Sequence, residues 1–165
     1  MDPFAVDLEA CRSRQRRLLE AAEPLDVDLI LLTRRESVQW LTGVRVPEPF
    51  ETVAAMDGAG WVTLALPDRQ LEMAAAVDER IGYEAKWHST NRDEQRSASS
   101  AAIRPMIKQP KRVACEFETF SPYLCLAWNV PLVEIDGIVF ELRRRKDADE
   151  LRMLARANEA NRAMY

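Results

Sequence analysis

Apolar positions recur at steps of three and four from Asp7 to Ala22, where Leu8, Cys11, Leu18, Leu19 and Ala22 share one face with Gln15 and predict a helix. Arg12, Arg14, Arg16 and Arg17 crowd the remainder and read as a solvated face. Val27 to Leu32 is a short apolar run of the kind buried on both faces of a sheet. Ser37 to Leu41 predicts one or two helical turns stopped by Gly43. Val53–Met56 and Trp61–Leu66 flank Asp57-Gly58-Ala59-Gly60, and two β-capable runs around such a turn predict a hairpin.

Beyond the hairpin the pattern alternates. Pro67 to Val77 reads as a helix opened by proline, and Ile81 to Trp87 as a strand. Asn91 to Ile107 reads as a helix that Pro105 limits to about Arg104. Arg112–Phe117 predicts a strand, Ser121-Pro122 opens a helix to Trp128, and Leu132–Ile135 is a last short strand. Strands alternating with helices imply a single α/β domain with a mixed sheet flanked by helices. Asp147-x-x-Glu150 resembles a capping box that opens a helix to Tyr165. The apolar stripe of that helix is thin: Leu151, Leu154, Ala155 and Met164. It has no stop signal and reads as a C-terminal connector whose partner surface lies outside this sequence.

Composition narrows the class. The chain has 165 residues, 47% hydrophobic and 30% charged, with a net charge of −4. That is enough chain for a real core and argues against a disordered chain or a nucleic-acid binder. The longest apolar run, Tyr123–Trp128, is far short of a membrane span, and the start carries no secretory signal. Cys11, Cys115 and Cys125 form no CxxC and predict buried free thiols in a reducing, cytoplasmic setting. Five glycines form no GxGxxG and no phosphate-binding loop, so a nucleotide cradle is excluded.

Candidate chemistry is thin. The one histidine, His88, follows a predicted strand and reads as a surface or interface residue. The carboxylate pairs Asp26/Asp28 and Asp147/Asp149 are better explained by a turn and a helix cap than by a metal. Arg143-Arg144-Arg145-Lys146 reads as a solvated linker with interdomain ion pairs. The stiff segment from Gly43 to Phe50 sets Arg45 and Phe50 on a loop, either as a contact for a ligand or partner, or with Phe50 tucked onto the core. No catalytic or metal-ligating set is predicted in this chain.

The order of segments resembles the N-terminal domain of the creatinase/prolidase/aminopeptidase P family, the pita-bread metallopeptidases. The residues that carry it are Arg14, Arg17 and Leu18, then Asp28-Leu29-Ile30-Leu31-Leu32. Ser37-Val38-Gln39-Trp40-Leu41-Thr42-Gly43 follows the family's N-(I/V)-x-Y-L-T-G-F, with Ser37, Trp40 and the following Val44 as departures. Leu142 to Leu151 is similar to the family's junction, L-R-x-x-K-(D/S)-x-x-E-(I/L).

The resemblance implies a ribonuclease H-like mixed sheet over residues 1–145. It implies a connector helix over 146–165, leading to a catalytic domain that holds two Mn, Co or Zn ions in the peptidases. None of that domain's ligands falls in this chain. The implied role is non-catalytic: packing in a homo-oligomer and narrowing access to the active site that takes the peptide substrate. Arg45, Phe50, Trp40 and His88 are the candidate contacts for that role. A stand-alone protein-binding or assembly module is the alternative, and neither reading involves nucleic acid or a membrane.

Overall fold

The computed structural model describes residues 7–86, 94–125 and 129–164. Helix α1 (Leu8–Ala22) is opened by Asp7, whose carboxylate accepts from the amides of Glu9 and Ala10. Strand β1 (Leu29–Leu32) is buried at all four positions. Helix α2 (Arg35–Thr42) stops at Gly43, which takes φ 83° and donates to the Gln39 carbonyl. Strands β2 (Val53–Asp57) and β3 (Val62–Pro67) form the hairpin, with Val53 opposite Ala65 and Met56 opposite Val62. The left-handed residue of that turn is Gly60, while Asp57 Oδ1 gathers the amides of Ala59 and Trp61.

The remaining elements are β4 (Glu79–Tyr83), α3 (Gln95–Ile103), β5 (Val113–Cys115), α4 (Pro122–Cys125), β6 (Leu132–Glu134), α5 (Asp136–Arg144) and α6 (Ala148–Met164). The sheet order is β4-β3-β2-β1-β5-β6. The hairpin strands and the β1–β2 pair are antiparallel, and the β3–β4, β1–β5 and β5–β6 pairs are parallel.

Two cores follow from the alternation of side chains along β1. Ile30 and Leu32 face one core with Leu18 of α1, Val38 and Leu41 of α2 and Val139 of α5. Leu29 and Leu31 face the other with Ile103 of α3 and Leu124 of α4. The chain is therefore a six-stranded mixed sheet between two helical layers, which agrees with the α/β class read from the sequence.

Three expectations need correction. The helix expected over Pro67–Val77 is absent. Pro67 closes β3, one 3-10 turn follows over Asp68–Gln70, and the next residues spend their amides elsewhere. Ala76 donates to the Thr42 carbonyl at 2.8 Å and Asp78 to the Val62 carbonyl at 2.9 Å, bonds that a helix would have kept internal. Arg143 and Arg144 are no linker: they form the last turn of α5, whose Ile138, Val139 and Leu142 pack on the first core. Within the domain, Arg144 pairs with Glu141 one turn back on α5, and Arg143 donates to Ser37 Oγ of α2. Third, the arginine-rich face of α1 is not uniformly solvated: Arg14 is buried. Strand β4 ends at Tyr83, short of the Trp87 expected, while His88 and the ends expected at Trp128 and Tyr165 lie outside the described residues.

Candidate functional site

A buried charge cluster lies between α1, α2 and the first turn of α6. Arg14 stands three residues after Cys11 and four before Leu18, so the 3.6-residue period turns it inward, and it is 1% exposed. A buried guanidinium must fill its donors. Its Nε donates to Asp147 Oδ2 at 2.9 Å, its Nη2 to Asp149 Oδ1, and its Nη1 to the Trp40 carbonyl at 3.4 Å. Glu150 Oε2 lies 3.5 Å from Nη2, and Arg17 adds a second bond to Asp147 Oδ2 at 2.6 Å.

Burial opposes the Arg14 charge, but the hydrogen bonds to Asp147 and Asp149 outweigh it and hold the guanidinium above its ordinary pKa. Burial likewise opposes ionisation of Asp147, and the bonds from Arg14 and Arg17 outweigh that, holding its carboxyl below the usual value. The capping box is half realised. Glu150 reaches back to the Asp147 amide at 3.0 Å, while the Asp147 side chain turns to the arginines. The Cys11 thiol beside Arg14 is buried, and that burial pushes it up to about 11 despite the cation.

A second buried charge sits at the ends of the parallel strands. The N-cap position of α2 is Arg34, a residue that cannot cap it, and no side-chain cap bond is made there. Glu116, directly after β5 and 1% exposed, does the work in its place. Its Oε2 accepts from the amides of Thr33 and Arg34, both at 2.8 Å. Burial raises its pKa against the bonds from Ser37, Arg34 and Thr33. The site is a helix cap supplied from a neighbouring strand.

The candidate contact residues are scattered. Arg45 is exposed on its loop between buried Val44 and Val46. Phe50 is half-buried and packs against the first core. Trp40 is 4% exposed, with its backbone carbonyl tied to Arg14. His88 is outside the described residues. Sequence reasoning missed Arg14 and Glu116. The signal for Arg14 was its place on the apolar stripe of α1, and for Glu116 the lack of a capping residue before α2.

Among the described residues, the two buried charge clusters fasten helix starts to the α/β domain: Arg14 holds the start of α6, and Glu116 holds that of α2. Comparison with known proteins supplies the family. The model described as the Creatinase/Prolidase N-terminal domain matches residues 14–144, and the chain belongs to that family.

Among solved structures, the prolidase of Pyrococcus horikoshii OT3 superposes with a TM-score of 0.69 at 15% identity, over 92% of this chain and 41% of that one. The prolidase of Pyrococcus furiosus gives 0.62 at 17%, over 82% and 39%. A Creatine_N superfamily domain of a dipeptidase from Streptococcus thermophilus gives 0.61 at 11%, over 79% and 98%. At such identities the likeness is one of fold. The chain thus spans 41% of the first prolidase and nearly the whole of the isolated streptococcal domain. No curated protein sequence matches the chain.

The family implies metal chemistry, and one group of described residues invites the test. Carboxylate oxygens of Asp147, Asp149 and Glu150 lie within 4.8 Å of one another. The cation among them is the Arg14 guanidinium, which contacts all three. A divalent ion there would have to displace a buried arginine, so these residues do not fit a catalytic metal centre. Among the described residues no helix is long and apolar enough to cross a membrane.

Proposed function

We propose that this chain is the non-catalytic N-terminal domain of an Xaa-Pro peptidase, of the aminopeptidase P or prolidase kind, or of a creatinase-like hydrolase. The observation that carries the reading is the match to the N-terminal family model alongside likeness to less than half of two prolidases. Residues 1–145 are the domain body and α6 begins the connector to a catalytic domain. The metal ions, two Mn, Co or Zn, belong to that other domain, and its substrate is a peptide. The domain contributes shape: it supports a dimer or larger homo-oligomer and narrows entry to the active site, a steric form of selection. Arg45, exposed, and Phe50, five residues on and packed against the first core, are the contacts for that role, with Trp40 and His88 as further members. Two buried free thiols, Cys11 and Cys115, are compatible with a cytoplasmic setting.

Two experiments test this. The gene downstream of codon 165 is expected to continue into a segment supplying two Asp, one His and two Glu; a stop codon there favours a stand-alone assembly module instead. In the protein that carries both halves, Arg45→Ala and Phe50→Ala are expected to alter kcat/KM for Xaa-Pro substrates. Unchanged values remove the access role.

A further inference from the structure

Helix α6 has almost no apolar grip on the domain. Beyond Glu150 only Met153 is half-buried, and Leu151 and Leu154 are 55% and 49% exposed. Its one buried residue is Asp149, an acid. What reaches it from the domain body is charge on a rigid fork. Arg14 offers Nε to Asp147 and Nη2 to Asp149, two acids on either side of the helix start, while its third nitrogen holds the Trp40 carbonyl of α2. Arg17 gives Asp147 a second point of attachment.

A point charge attracts without orienting, whereas a planar guanidinium with two separate acceptors fixes direction as well as distance. Arg14 and Asp147 are 133 residues apart, so this is a tertiary clamp and not a local helix feature. We propose that Arg14 is a positioning residue: it sets the direction in which α6 leaves the domain, by binding the first turn of α6 and the backbone of α2 with one side chain. The consequence for a following catalytic domain, whose approach to the scaffold the clamp would set, rests on the function proposed above. The clamp itself is a property of this chain alone.

The test is backbone N–H residual dipolar couplings on the 165-residue chain. In the wild type, the couplings of α6 are expected to fit the alignment frame of strands β1 to β3. In Arg14→Met they are expected to lose about half or more of their spread while the sheet keeps its own. Arg14→Lys keeps the charge and loses the fork, and is expected to fall between the two. Should Arg14→Met fail to fold, Asp149→Ala asks the same question from the helix side, with the same loss expected.

Any one of these results would overturn the proposal: wild-type α6 already averaged, α6 unchanged in both Arg14→Met and Asp149→Ala, or Arg14→Lys identical to wild type. A collapse in Leu154→Ala without one in Arg14→Met would also overturn it, by assigning the hold to the apolar wall that Leu154 and Met153 share with Trp40. No substrate or second domain enters, so a failed clamp leaves the proposed function standing, and a failed function leaves the clamp.

Discussion

The two last helices follow one another in the chain and are held by opposite means. Helix α5 buries Val139 and lays Ile138 and Leu142 on the first core. Helix α6, nearly twice as long, buries one carboxylate and leaves Leu151, Leu154 and Met164 in solvent. Apolar burial is non-directional and tolerates small slips of a helix. A buried, forked ion pair tolerates little and adds little net stability once desolvation is counted. The contrast teaches what each helix is for: α5 closes the domain, and α6 is pointed rather than packed.

That contrast can be broken or sharpened by substitution. The sheet sets the scale: Leu31→Ala, at a fully buried position of β1, is expected to lower unfolding stability in urea by about 3 kcal/mol. Glu116→Ala uncaps α2 and leaves two amides without acceptors, and the same titration is expected to read about 2.5 kcal/mol. Val139→Ala, on α5, removes buried methyl surface worth about 2 kcal/mol. Leu154→Ala, on α6, is expected to stay within about 0.5 kcal/mol of wild type in this chain. Equal losses for Val139→Ala and Leu154→Ala would erase the distinction between the helices.

The smallest effect is a pH dependence. The Asp147 carboxyl is held below its usual value by Arg14 and Arg17. Its contribution is therefore fully present above the unfolded value of about 4 and is lost as pH falls through the lower folded value. Glu116 runs the other way. Its raised value makes its ionisation unfavourable to the fold, so that contribution is present at low pH and lost as pH rises through the raised value. Amide exchange is expected to show α6 loosening below about pH 4 while the Glu116 cap of α2 holds. Simultaneous loosening of both would contradict the assignment.

What the sequence made legible was apolar. The β1 run, the hairpin around Asp57 and the Gly43 stop were all readable because hydrophobic period and turn chemistry are local signals. One helix assignment failed for a nonlocal reason: Ala76 and Asp78 donate to the carbonyls of Thr42 and Val62, partners that the local pattern does not name. Helix α5 carries Ile138, Val139 and Leu142 onto the first core, and the sequence pattern was read there only for its basic end. The buried charges were hardest, because Arg14 in isolation looks like three neighbouring arginines. Only its place on the stripe separates it, and its acids lie at the far end of the chain. The family resemblance rests on both ends, Arg14 with Arg17 and the junction through Asp147 to Glu150, but not on the contact that joins them.

On the function proposed above, the chemistry belongs to a second domain and this one only orients it. Hydrolysis of Xaa-Pro dipeptides and Xaa-Pro-Yaa tripeptides by the purified 165-residue chain with added Mn²⁺ puts that to the test. No turnover above the protein-free control is expected. Metal-dependent release of the N-terminal residue, abolished by chelation, would contradict it.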